Sequence, residues 1–301
     1  MSNVERFHED GTLRPDVPLG PMTTYKSGGS AKLFAEVNSV SGLRNLISSG
    51  ITRSEQVIVL GRGSNLVVAD AGYDGLVIRL GGEFTKHHFE DHQLVAGGAV
   101  PLPKLARASV VEGLSGLEFF VGVPGSVGGA VRQNAGCFGA ETADVLVTAD
   151  LVDVRSGVER SADSETLEMG YRHSNVRPGE VVMWARFAGT PDVSGRGGEE
   201  IRRITRWRKE NQPGGSFNAG SVFKNPEGRT AGELIDGLGL KGLSVGGVSI
   251  SSKHANFFVA DSTATSADIL ALVESVKSRV FEQTGTMLEP EIQFVGFEDD
   301  N

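Results

Sequence analysis

Only one cysteine, Cys137, occurs in this chain of 301 residues, so no internal disulfide can form. That fits a reducing compartment, and a cytoplasmic location is expected. A lone cysteine cannot build a zinc site, and the six histidines show no ligand spacing, so no metal is expected. Long apolar runs are also missing. Nothing approaches the roughly 20 residues that span a bilayer, so no membrane association is expected. The opening stretch MSNVERFHEDGTLRPD lacks the apolar segment of a signal peptide. Positive charge is short as well: 29 Lys and Arg face 38 Asp and Glu, a net charge of −9. Such a chain offers no general field for nucleic acid or an anionic membrane. A small anionic ligand held by a few local arginines remains compatible with it. Tyrosine is limited to Tyr25, Tyr73 and Tyr171. No feature marks an oligomeric interface.

Glycine, by contrast, is abundant, with 41 residues and no low-complexity tract. That pattern indicates many tight turns and close approaches of backbone to ligand. Residues 1–20 read as an irregular arm. Short strands and helices then alternate to about residue 187, with strands expected at Val57–Leu60, Leu76–Leu80, Val145–Val154 and Val181–Phe187. A helix is expected over Leu102–Glu112, capped by Gly113. Trp184 and Phe187 read as core. Residues 188–199, AGTPDVSGRGGE, read as a linker, followed by a basic helix from about Glu199 to Glu210. Thr265 and Asp268 form a capping box for a helix whose stripe is Ile269, Leu272, Val273, Val276 and Val280, ended by Gly285. MLEPEIQFVGF then reads as a closing strand with Pro290 near its start.

Two glycine segments are suited to an anion or a flat ligand. The first is GRGSNLVVAD, which begins Gly61, Arg62, Gly63, Ser64, Asn65 and Leu66 after a strand. It is not a dinucleotide fingerprint, because Leu66 holds the third glycine position and a strand follows instead of a helix. The second is VGVPGSVGGAVRQNAGCFGAE, with Pro124, Gly125, Ser126, Gly128, Gly129, Asn134, Ala135 and Gly136. Its flanking apolar order (Phe119, Phe120, Val127, Val131) points to a packed loop. Four shorter motifs follow: GYRHSNVR, NAGSVFKNPEG, LKGLSVGGVSISSKHANFFV and LEPEIQF. Each has a bland reading on its own. Ser221 could be a turn serine, Arg172 a surface ion-pair residue, Glu291 an edge charge and His254 a structural histidine.

In their order and spacing, these motifs resemble the UDP-N-acetylenolpyruvylglucosamine reductase family from Thr23–Val37 to Glu289–Gly296, nearly the whole chain. The resemblance implies an α+β fold. A FAD-binding part of the vanillyl-alcohol-oxidase (PCMH) type would cover 1–193, and a substrate-binding domain 194–301. The last strand is a candidate to return to the first part. The two glycine segments would bind FAD. Ser221 would be the proton donor, Glu291 a catalytic partner, and Arg172, with Ser174 completing its motif, the catalytic cation. Arg208, with Lys209 competing, and Asn225 would contact substrate. With no tyrosine beyond residue 171, the chain resembles the shorter subclass that lacks a tyrosine-bearing lid.

The activity so implied is reduction of UDP-N-acetylglucosamine enolpyruvate to UDP-N-acetylmuramate, with NADPH as hydride source through bound FAD. It belongs to peptidoglycan precursor synthesis, hence to cell wall biogenesis, cell shape and cell division. Cys137 is the one candidate for covalent flavin attachment in the binding segments, so FAD is expected to be non-covalent. A flavin oxidase of the same broad fold explains the glycine turns but not GSVFKNP with LEPE. A non-catalytic flavin or sugar-nucleotide binding module is the third alternative.

Overall fold

Leu13 and Val17 lie an even number of residues apart, so an extended chain turns both to one face. In the computed structural model, which describes residues 11–215 and 217–297, Gly11–Pro18 is a strand with Leu13 and Val17 buried. From Gly11 onward this corrects the irregular arm expected over residues 1–20. The segment is the outermost strand of its sheet, where Pro15 is tolerated because an edge leaves donors unneeded. Residues 1–10 lie outside the described residues.

The chain divides into two compact units. One comprises Met1–Asp16, Lys32–Arg62 and Gly75–Trp207; the other comprises Val17–Ala31, Gly63–Asp74 and Arg208–Asn301. The boundary expected after residue 193 thus stands against a break at Trp207, and two early segments join the second unit.

The first unit holds a four-stranded sheet in the order Gly11–Pro18, Ser30–Val37, Tyr73–Leu80, Val57–Val59. It also holds a five-stranded sheet in the order Glu159–Ala162, Leu146–Asp153, Glu180–Ala188, Gln93–Gly97, His87–Glu90. Strand alternation splits the second sheet's side chains between two cores. Leu151 and Val182 join Leu105, Phe120, Val131 and Phe187 on the face covered by the helices Leu102–Val111 and Val127–Gln133. Val152, Val181 and Met183 point the other way, into a core with Leu76 and Ile78 and with Leu43, Leu46 and Ile47 of the helix Val40–Ser48. Trp184 packs against this core, and Phe187 is fully buried.

Residues 188–199 are not a free linker. Thr190–Pro191 pairs with Leu114–Ser115, and the Asp192 carboxylate accepts the Gly197 N–H at 2.9 Å as the helix Gly197–Asn211 begins. The Gly, Pro and Ser content suits these turns as well as it would suit a flexible tether.

In the second unit, the helix Ser266–Thr284 starts at the Thr265–Asp268 capping box and stops at Gly285, whose φ is +70°. Its stripe is buried, together with the helix Ala231–Gly237 and the three-stranded sheet Ser244–Val245, Val248–Ile250, Phe258–Ala260. The closing strand is shorter than expected, Gln293–Val295. It pairs in parallel with Leu66–Val68, within the same unit.

A buried ion pair braces the five-stranded sheet. Glu180, 4% exposed, takes both Nε and Nη2 of Arg160 at 2.6 and 2.8 Å and the Arg177 N–H at 2.7 Å. Burial alone would raise its pKa, but the Arg160 and Arg177 hydrogen bonds outweigh burial and hold the carboxyl below its ordinary value of 4.5. Glu180→Ala strands Arg160 partly buried, and a destabilisation of about 3–5 kcal/mol is expected in denaturant unfolding. In the parent protein the pair's contribution is present above the unfolded-state pKa. It is lost as pH falls through the lower folded value, so the parent and variant should converge in stability in acid.

Candidate functional site

The two glycine segments meet in the first unit. A Cβ built on Gly61 would lie 2.6 Å from the Ser126 hydroxyl, so a side chain at 61 would fill the space between the turns. Ser126 precedes the helix Val127–Gln133 but makes no capping bond with its side chain. Beside it, a Cβ on Gly129 would meet only the Ser126 Oγ, at 3.7 Å, so this turn presents bare backbone. Gly128 donates its N–H to the Gly98 carbonyl at 2.8 Å, and Leu102 donates to the Gly125 carbonyl at 3.1 Å, which fixes the loop. A packed, backbone-lined cradle of this kind fits a flat ligand carrying phosphates, such as FAD. The rest of the first segment, Gly63, Ser64, Asn65 and Leu66, belongs to the second unit. There Gly63 has φ +61°, and its carbonyl accepts the Thr24 N–H at 3.0 Å. The Cys137 thiol donates to the Phe119 carbonyl at 3.2 Å.

Arg172 occupies the second position of a two-residue turn. Gly170 and His173 exchange N–H···O bonds of 3.1 and 3.0 Å, and Arg172 adopts φ +55°. A long side chain in the left-handed region is uncommon outside turns and functional positions. The guanidinium Nη2 donates to the Gly136 carbonyl at 3.0 Å, and the group lies 5.2 Å from the Tyr171 ring centre. Ser174 is buried and donates to the Arg132 carbonyl at 2.7 Å. Asn134 has φ +44° and uses its side-chain amide within the protein, on Gly170 and Ala143. Ala135 and Gly136 continue into a short hairpin, where a Cβ at 136 would come within 2.4 Å of the Ala140 carbonyl oxygen.

The second unit brings Ser221 and Glu291 together. Ser221 bridges Phe257, and the next residue, Val222, accepts the Glu291 N–H at 2.7 Å. Asn65 reaches the same place across 226 residues. Its Nδ2 donates to the Glu291 carbonyl at 2.8 Å, and its own carbonyl accepts the Gln293 N–H. A residue that reads as a cofactor contact therefore supports the segment carrying Glu291, two residues before the strand Gln293–Val295. Asn225 accepts the Ala231 N–H at 3.1 Å, at the start of the helix Ala231–Gly237. Arg208 donates Nε to Gln212 at 2.8 Å, and the Lys209 carbonyl accepts the Lys253 ammonium at 2.5 Å. His254 packs on Phe257 and accepts the Asn256 N–H through Nδ1 at 3.2 Å. Burial, aided by the Lys241 charge, lowers its pKa, so it is neutral at neutral pH.

No sequence motif marks Asn256 as a site residue. It is buried, donates Nδ2 to the Phe223 carbonyl at 2.9 Å and accepts the Phe223 N–H at 3.0 Å. It thus holds the segment bearing Ser221 and Asn225. An amide amid the apolar residues of HANFF was the available signal, since a buried amide needs partners. Among the described residues, no group of three or more His, Cys, Asp or Glu could hold a metal, and no helix is long and apolar enough to cross a membrane.

Two family models match the chain. Residues 31–162 match the FAD binding domain model, and residues 212–295 match that of the UDP-N-acetylenolpyruvoylglucosamine reductase C-terminal domain. The reductase of that name from Novosphingobium aromaticivorans is 41% identical over 98% of this chain and 99% of its own. The one from Caulobacter vibrioides is 40% identical over 95% of each chain. The crystal structure of the Thermus caldophilus enzyme superposes with a TM-score of 0.82 at 36% identity, covering 95% of this chain and 99% of that one. The fold is α+β with an FAD-binding domain, and the chain is a flavin-dependent oxidoreductase: it belongs to the UDP-N-acetylenolpyruvoylglucosamine reductase family.

Proposed function

We propose that this chain reduces UDP-N-acetylglucosamine enolpyruvate to UDP-N-acetylmuramate in the cytoplasm, with NADPH as co-substrate and FAD held non-covalently, as a step of peptidoglycan precursor synthesis. The observation carrying the reading is the hydrogen bond from the Glu291 N–H to the carbonyl of Val222, the residue after Ser221, in a chain whose residues 212–295 match the C-terminal domain model of this reductase family. When bound, FAD supplies hydride relay from the nicotinamide to the enolpyruvyl methylene. Gly61, Arg62, Gly63, Ser64, Asn65 and Leu66, with Pro124, Gly125, Ser126, Gly128, Gly129, Ala135 and Gly136, are the residues assigned to it; Asn134 lies in the same segment, but its side chain is fully buried and its amide is spent on Gly170 and Ala143, so it is assigned no contact with FAD. Non-covalent binding is supported by the scarcity of attachment points, since Cys137 is the one cysteine or histidine in these two segments.

The chain's own residues then have distinct tasks. Arg172 stabilises the negative charge that builds on the substrate carboxylate as hydride arrives, an effect largest where water is scarce. Ser221 delivers a proton to the adjacent carbon, which completes the lactyl ether. Glu291 is its catalytic partner, a hydrogen-bond donor to the substrate carboxylate when its own carboxyl carries a proton. Arg208 and Asn225 hold the charged and polar parts of the sugar nucleotide. The absence of any tyrosine beyond residue 171 supports the subclass without a tyrosine-bearing lid.

An anaerobic visible spectrum tests this. The flavin band is expected to bleach with NADPH and to return on adding UDP-N-acetylglucosamine enolpyruvate. Bleaching without return would mean another substrate. A protein that binds no FAD when it is supplied would overturn the reading entirely.

A further inference from the structure

We propose that Asn134 is the positioning residue for Arg172, a role that rests on Arg172 being the catalytic cation as assigned above. Asn134 is fully buried, and it follows the helix Val127–Gln133 with φ 44° and ψ 54°. Asparagine tolerates this left-handed conformation better than other non-glycine residues. Both ends of its side-chain amide are engaged. Nδ2 donates to the Gly170 carbonyl at 2.9 Å, and Oδ1 accepts the Ala143 N–H at 2.8 Å. A backbone N–H only donates and a carbonyl only accepts, so these partners fix which end of the amide is which.

Gly170 is the base of the turn that presents Arg172. Its carbonyl accepts both the His173 N–H at 3.0 Å and Asn134 Nδ2, which fills its two lone pairs. Two residues after Asn134, the Gly136 carbonyl receives the Arg172 guanidinium at 3.0 Å. The segment 134–136 therefore holds Arg172 at both ends, its backbone turn through the Asn134 amide and its cation through a main-chain carbonyl. The bond to Ala143 anchors this grip to the helix Thr142–Val145. Arg172 itself sits at φ +55°, a conformation that persists where surrounding contacts enforce it. The Asn134 amide is the side chain that supplies this contact to the turn. A cation held loosely is poorly placed for charge that develops at one atom, and a displacement of about 1 Å can cost about 100-fold in rate.

The test separates the two half-reactions in the FAD-loaded protein. Asn134→Gly keeps the left-handed backbone and deletes both side-chain bonds. Asn134→Asp keeps the acceptor for Ala143 and removes the donor to Gly170, and it carries the test if the glycine variant does not fold. Each is expected to bind FAD and to be reduced by NADPH as the parent is. Reoxidation by UDP-N-acetylglucosamine enolpyruvate should be slower by about 10- to 100-fold. Combined with Arg172→Lys, either should add less than about twofold to the loss from Arg172→Lys alone, because coupled residues are non-additive. Reoxidation at the parent rate, a matching loss of FAD binding or of reduction by NADPH, or fully additive losses would each overturn the proposal. If Arg172→Lys alone reoxidises at the parent rate, the assignment of Arg172 fails instead, and the positioning role fails with it.

Discussion

Ser221→Ala is expected to bind FAD and bleach with NADPH as the parent does, while reoxidation by the enolpyruvyl substrate slows by about 100- to 10,000-fold, the span of a lost general acid. The substitution removes one hydroxyl and little else. The backbone here is fixed independently, by the bridge to Phe257 and by Val222, whose N–H goes to the Asn256 carbonyl and whose carbonyl accepts the Glu291 N–H. Stopped-flow absorbance at the flavin band, run separately for each substrate, reads both steps. A reoxidation rate within about threefold of the parent would remove Ser221 from the proton-transfer role, since general acids contribute far more than that. A non-catalytic binding module would show no turnover to lose in either protein.

The second large effect falls on stability. Asn256→Ala leaves the Phe223 N–H and carbonyl without the amide that pairs with both, in a residue that is 1% exposed. Each stranded buried group costs about 1–3 kcal/mol, so a loss of about 2–6 kcal/mol is expected in denaturant unfolding. That is a large part of a typical domain's stability of about 5–15 kcal/mol. Asn256→Asp keeps the acceptor for the Phe223 N–H and loses the donor, so it should fall between. A change below about 1 kcal/mol in the alanine variant would mean that the two Phe223 groups find other partners. Because Phe223 follows Ser221 and Val222, a partly folded variant should also show lowered turnover.

Much of the fold was legible because its signals are short-range. Thr265 and Asp268 cap a helix three residues apart, the stripe from Ile269 to Val280 repeats at the helical period, and Gly285 ends it with φ +70°. Val145–Val154 and Val181–Phe187 announced the central strands by β-branched runs. Gly11–Pro18 was missed because proline and charge obscured a half-buried edge strand. Residues 188–199 read as a linker because turn residues look alike whether the chain then runs free or pairs, as Thr190–Pro191 does with Leu114–Ser115.

The sequence by itself determined the ends of the helices Leu102–Val111 and Ser266–Thr284, the strand candidates, the glycine turns and the family, since each is carried by residues close together in the chain or by their order. Tertiary structure alone decided that Asn65 supports Glu291 across 226 residues, that Gly61 faces Ser126, and that Asn134 and Asn256 spend their amides on Gly170 and Phe223. A capping bond closes within one turn of chain and leaves a local pattern. A buried amide's partner is chosen by how distant segments pack, and an asparagine carries the same letter whether it meets a ligand or a neighbour's backbone.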